Sequence, residues 1–277
     1  VTTELNTLAT ALYVKIDDQL IASPDLAPER PQAGIQPRLS DAELVTLAVL
    51  SALLGFTSER RWLRYARAHL SGLFPYLPGQ PGHNKRLRAA TGLVLHLIRI
   101  LGRDTSLWSD DVWVADSTPV ECGRSRQTAQ RSALAGLPVA FALTGAKADE
   151  RTTLLGMLAT DPDLLERHRG QDLIADMQYY GRDFEHSLAG EGIRLLRKAR
   201  KGEPPRPGAH VFKPLRQTIE SINQTLKGQL DLERHGGRTV AGVAIRVITR
   251  ILALTTVIWH NDKTGQPTAR SLTAYDH

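Results

Sequence analysis

Cysteine is nearly missing from this sequence: Cys122 stands alone among 277 residues. No internal disulfide can form, and no zinc centre built on several cysteines. A single thiol suits a reducing compartment, and with no partner base in view a structural role is expected for it. The nine histidines include no pair at metalloprotease spacing, so no zinc is assigned. Repeats of the 20–50-residue kind and low-complexity tracts are also lacking, which excludes a solenoid. The N-terminus has no charged, apolar, small-residue layout of a signal peptide, and Val1 is expected to be a GUG start read literally. The longest apolar run, Thr239 to Trp259, carries Arg246 and Arg250. Two central arginines argue against a membrane span, and no membrane partner is expected.

Lysine is scarce as well. Of 35 basic residues, 27 are arginine and 8 lysine, against 29 acids, with a pI near 9.6. Arginine forks onto phosphates, so the bias suits nucleic acid; a GC-rich genome would give the same bias. Residues 59–103 hold nine basic residues against Glu59, and residues 194–216 hold eight against Glu203. Apolar residues at 42% and charged residues at 23% are ordinary for a folded globular chain.

The first hundred residues predict helices. Leu5, Leu8, Leu12 and Ile16 follow helical spacing. Ser40-Asp41-Ala42-Glu43 is a capping box that opens a helix to about Leu54. A second helix spans 58–70 after a break at Gly55, and a further one spans 84–101. The pair 41–54 and 58–70 can form a helix-turn-helix, with Arg60, Arg64 and Arg67 on one face as DNA contacts; a merely solvated basic face is the plainer alternative.

From about Asp110 the texture changes to an α/β alternation. Short β-prone runs occupy 112–116, 137–143, 173–175 and 193–196, with a helix over 149–159. Beyond the loop 202–208, helices are predicted over 215–230 and 239–259. The last carries Val243, Val247, Ile248, Ile251, Leu254 and Ile258 on one stripe, as a core helix would.

Two of the β-runs end in an aspartate, Asp116 and Asp176, and the following helical segment carries Glu220. Carboxylates at strand ends lie where α/β sites form, and two Asp with one Glu make an oxygen-ligand set for Mg²⁺. Arg216, Glu220, Asn223 and Lys227 share one helical face, so a carboxylate is flanked by two phosphate-binding cations. A solvated face with an Arg216–Glu220 pair would need no function. Ser117 and Thr118 are expected to orient the Asp116 carboxylate. Tyr179 and Tyr180 suit either base stacking or the core.

These blocks (Val114 to Val120, Leu137 to Glu150, Leu173 to Gly181, Arg216 to Lys227) and the tail His235-Gly236-Gly237-Arg238 with Trp259 to Lys263 resemble bacterial insertion-sequence transposases of the DDE type. The resemblance implies a ribonuclease H-like α/β core with helical N-terminal and C-terminal parts. The parts are 1–105 (helical, DNA-binding), 106–235 (catalytic core) and 236–277 (C-terminal helical segment). It implies that Asp116, Asp176 and Glu220 hold Mg²⁺ or Mn²⁺ and are catalytic, and that Arg216 and Lys227 grip phosphates in an Arg-x₃-Glu-x₆-Lys signature. The partners would be the element's inverted repeats and target DNA, and the resemblance admits a homodimer on DNA in the bacterial cytoplasm, at the nucleoid.

Three positions depart from the pattern. Lys213 stands where the signature often has tyrosine, and Gln178 where a glycine is usual. The stretch between Ser132 and Leu137 is short, as after an internal deletion. The run Glu121 to Gly136 lacks apolar alternation and predicts a loop or short helix. The core would then lack one strand, and strand 138–143 would pair directly beside 112–116. An impaired or inactive enzyme is expected on that ground. A remnant that only binds DNA is the alternative, and a nuclease without strand transfer a second.

Overall fold

A computed structural model describes residues 3–29, 36–110, 112–122, 125–134, 137–145, 147–207, 224–268 and 272–275; for Asp116, 118–122 and 125–134 the description is of the backbone. The chain forms two compact units, one from 1–104 with 225–277, the other from 105–224.

The first unit is helical: α1 (Thr3–Ala22), α2 (Asp41–Leu53), α3 (Glu59–His69), α4 (Gln80–Ala89), α5 (Thr91–Arg103) and a long C-terminal helix, which follows α6 to α8 of the second unit and is therefore α9 (Val240–Lys263). The predicted stripe of α1 is the buried one, with Leu5, Leu8, Leu12 and Ile16 inaccessible to solvent. The capping box forms: Ser40 Oγ accepts from Glu43 N at 3.0 Å, and Glu43 Oε2 accepts from Ser40 N at 2.6 Å. α2 is buried over nearly its whole length. Arg86 of α4 ties down its start by donating to Leu39 O and Asp41 Oδ1, both at 2.7 Å.

The helix predicted over 84–101 is two helices. α4 ends and α5 begins at Ala90, where ψ is 8°, although no proline precedes the break. The tail 236–277, expected as a part of its own, joins the N-terminal helices, with α9 packed chiefly on α5 and α2. α9 is long and apolar enough to cross a membrane, but 78% of that apolar window is buried within the protein. Its arginines serve the fold. Arg250 donates to Leu230 O at 2.6 Å and to Arg246 O at 3.1 Å, and burial lowers its guanidinium to about 10.

The second unit holds a five-stranded mixed sheet in the order β3-β2-β1-β4-β5. β1 (Val112–Cys122), β2 (Ser125–Leu134) and β3 (Leu137–Gly145) run antiparallel. β4 (Asp172–Ile174) lies parallel to β1, and β5 (Arg194–Leu196) parallel to β4. The helices α6 (Glu150–Ala159), α7 (Pro162–Arg167) and α8 (Arg182–Gly190) cover one face.

β2 corrects the sequence reading. Within the run 121–136, Ser125–Leu134 is a strand, and β3 does not pair beside β1: β2 lies between them, bonded across Val114↔Ala133 to Cys122↔Ser125 on one side. On the other it spans Gln127↔Gly145 to Leu134↔Leu137, with a bulge between Ser132 and Ala133. The missing strand, and with it the structural ground for expecting impairment, is not found. A strand paired on both edges is held by its ladder and its neighbours, which override weak intrinsic propensity. Among the described residues β4 pairs with β1 across Val112–Val114 and none pairs with β1 on that side at Pro119, so the missing N–H of Pro119 is tolerated there.

The alternation of β1 and β4 sorts the core. Trp113, Ala115, Leu173 and Ala175 pack with Leu154 and Leu158 of α6, Leu164 of α7 and Phe184 and Leu188 of α8. Val112, Val114, Ile174 and Leu196 form a smaller cluster on the opposite face.

Candidate functional site

Asp116 and Asp176 come from neighbouring strands. β1 and β4 pair Val112↔Asp172, Trp113↔Leu173 and Val114↔Ile174. The paired register stops at Ile174, two residues before Asp176. By strand alternation position 116 falls on the face of Val114 rather than on the helix-covered face. β4 ends at Ile174, but Ala175 N still donates to Leu196 O at 3.1 Å, holding the chain in line up to Asp176.

Asp176 is exposed, and its Oδ1 accepts from Gln178 N at 2.7 Å, closing a local turn. Gln178 needs no glycine there: among the described non-glycine residues only Asp231 has positive φ. Tyr179, the next residue, is a core residue at 2% exposure. Tyr180 stays half-buried with Arg200 3.6 Å and Arg151 5.4 Å from its ring centre, and Arg151 Nη1 donates to its carbonyl at 2.8 Å. Two arginines from distant segments thus gather on Tyr180, four residues after Asp176. Asp149, which caps α6, is held well below the usual carboxylate range by its bonds from Arg151 and Thr152.

Ser117 does not serve as the sequence suggested. Its hydroxyl donates to Glu150 Oε1 at 2.6 Å. Glu150, at the first position of α6, went unnoticed in the sequence because its link to β1 spans 33 residues. Beyond β5, Arg197 is 2% exposed and bonded to Glu185 and Glu203, with Arg206 also on Glu185. Its guanidinium is held fully charged by Glu203 and Glu185 despite burial.

The other predicted residues lie elsewhere or outside the described residues. Glu220 and Arg216, and with them most of the predicted helix 215–230 and Lys213, fall outside. Lys227 lies in a π-helical turn, Thr225–Gln229, of the first unit and pairs with Glu233 Oε1 at 3.1 Å. Arg60, Arg64 and Arg67 are exposed on α3, opposite buried Trp62, Leu63 and Ala66. Arg67 is partly engaged, donating to Pro78 O at 2.7 Å. Among the described residues no cluster of three metal-ligating side chains occurs.

Residues 108–256 match the family model of the transposase DDE domain. The chain belongs to that family. No curated protein matches it. The matched segment covers just over half the chain and runs from the turn before β1 into α9. Transposases of this family act on DNA and generally use divalent metal ions. Aspartate carboxylates are hard oxygen donors, the ligand type such an ion takes.

Proposed function

We propose that this transposase cuts and joins DNA at the ends of its own insertion element, through a ribonuclease H-like core. The observation that carries the reading is the parallel pairing of β1 with β4 across Val112–Val114 and Asp172–Ile174, two residues before Asp116 and Asp176 in each segment. The sheet order β3-β2-β1-β4-β5, with three antiparallel strands leading into two parallel ones, supports that kind of core.

In this reading Asp116, Asp176 and Glu220 hold Mg²⁺ or Mn²⁺. When bound, the metal supplies an activated water and stabilises the leaving oxygen of a phosphodiester. The chain's own residues do the rest. Arg216 and Lys227 hold phosphates near the cut, and Arg60, Arg64 and Arg67 hold the element's end, as a homodimer or singly. Water adds at phosphorus, the 3′-oxygen leaves with a proton, and the freed 3′-hydroxyl attacks a target phosphodiester, whose own 3′-oxygen leaves with the proton the attacking hydroxyl gives up.

The test is nicking of a duplex that carries the element's end, in Mg²⁺, beside calorimetric Mn²⁺ binding. Asp116→Asn, Asp176→Asn and Glu220→Gln should each lose more than the ~10²-fold that a 1 Å misplacement costs, and bind Mn²⁺ more weakly. DNA binding without cleavage by the wild type would make the chain a binding remnant. Cleavage without joining would make it a nuclease. Cleavage unaffected by the aspartate changes would refute the site.

A further inference from the structure

The helical unit contains a pocket of about 550 Å³ where three helices begin. Ser58 and Glu59 open α3, Gln80 and Asn84 lie in the first turns of α4, and Thr239 and Gly242 open α9. Each helix start leaves backbone N–H groups unbonded and carries roughly half a positive charge. The local caps satisfy few of them. Gly79, before α4, has no side chain to accept, Ser58 Oγ meets Arg61 N only at 3.5 Å, and Thr239 Oγ1 takes the Gly242 N–H at 3.1 Å.

The pocket is also walled by Arg88, Arg238 and Arg246, against one carboxylate, Glu59. Burial raises Glu59, but His83 and Arg246 outweigh it and keep it ionised. Arg246 is fixed by that carboxylate at 3.1 Å and by His235 O at 2.7 Å. Arg88 and Arg238 are exposed at the rim and, among the described residues, pair with no carboxylate. The lining therefore keeps two uncompensated guanidinium groups beside three helix starts.

The backbone places Arg238 closely. Gly236 has φ +70°, and a Cβ on Gly237 would come within 2.9 Å of Val243 N and Cα, so this segment lies against the first turn of α9.

We propose that this pocket seats a backbone phosphate of DNA, a contact of the helical unit separate from the outer face of α3. The inference rests on the reading of the chain as a DNA-handling transposase. Guanidinium forks and free helix N–H groups both match a phosphodiester, and neither reads base sequence.

The test is full-chain binding to element-end and unrelated duplexes across a salt series. Arg88→Ala with Arg238→Ala should weaken both duplexes alike, by at least about tenfold, and lower the slope of log K against log salt by about one. Arg88→Lys with Arg238→Lys should keep the slope. Thermal melts check that each variant folds. A wild type that binds DNA with a slope unchanged in the alanine variant would overturn this site and leave the transposase reading standing. Inorganic phosphate that stabilises the wild type but not the alanine variant, with unchanged DNA slopes, would make the pocket a small-anion site and equally overturn the proposal. A wild type that binds no DNA would overturn both.

Discussion

Replacing Asp104 by alanine should loosen the helical unit where α1, α5 and α9 meet. Asp104 ends α5, where the helix dipole disfavours a carboxylate. It is held there by Lys15 Nζ at 3.0 Å, Lys263 Nζ at 2.9 Å and the Trp259 indole N–H at 3.0 Å. Trp259 is 7% exposed, so an indole N–H left without an acceptor costs about 1–3 kcal/mol. The two ion pairs are partly exposed and contribute about 0–1 kcal/mol each. Asp104→Ala should therefore cost about 1–5 kcal/mol, whereas Asp104→Asn, which keeps an oxygen for the indole, should cost about 1 kcal/mol. The pH dependence has a definite sign. Burial alone would raise this carboxyl, but the bonds from Lys263, Lys15 and Trp259 outweigh it and hold it at about 2. A folded value below the unfolded ~3.9 means the contribution is complete above about pH 4 and fades as pH falls through about 2. Urea unfolding of the wild type and both variants at pH 7, 4 and 2 measures this. The gap between wild type and Asp104→Asn should hold from pH 7 to 4 and close towards pH 2. An alanine variant within about 0.5 kcal/mol of the wild type, or a gap indifferent to pH, would refute the reasoning.

Gly237→Ala should destabilise by about 1–3 kcal/mol, because its methyl meets the backbone of Val243 rather than a movable side chain, and a thermal melt reads this directly. Ser40→Ala should lose the capping box of α2 at a cost of about 0.5–2 kcal/mol, measured by urea midpoint. Ala129→Pro, in a strand bonded on both edges, should disrupt the sheet unit by about 3 kcal/mol or more while the helical unit keeps its own transition; an unperturbed sheet unit would mean that β2 is not paired as described.

Where local pattern and burial agree, the sequence was readable. Leu5, Leu8, Leu12 and Ile16, the Ser40–Glu43 box and the α9 stripe each announce an element whose apolar face is its buried face. The apolar runs that precede Asp116 and Asp176 were readable as strands, β1 and β4. β2 was not, since Ser125–Leu134 carries neither alternation nor β-branched weight apart from Thr128, and only pairing with two distant segments makes it a strand. The break at Ala90 has no proline and no cap to signal it. Glu150 and the pocket at three helix starts were hidden for a common reason: each is assembled from segments far apart in the chain.

The helical unit begins at the first residues and ends with the last, with the whole sheet unit threaded between. During synthesis, α2 and α5 emerge long before α9, the helix that covers them. At ~5–20 residues per second, the gap between the end of α5 and the start of α9 lasts roughly 7–30 s. Through that interval the apolar faces of α2 and α5 wait uncovered, while the described strands of the sheet unit are being made. A stop codon or frameshift before residue 240 would therefore leave the earliest-made helices without their lid, so damage late in the gene reaches back to the beginning of the protein.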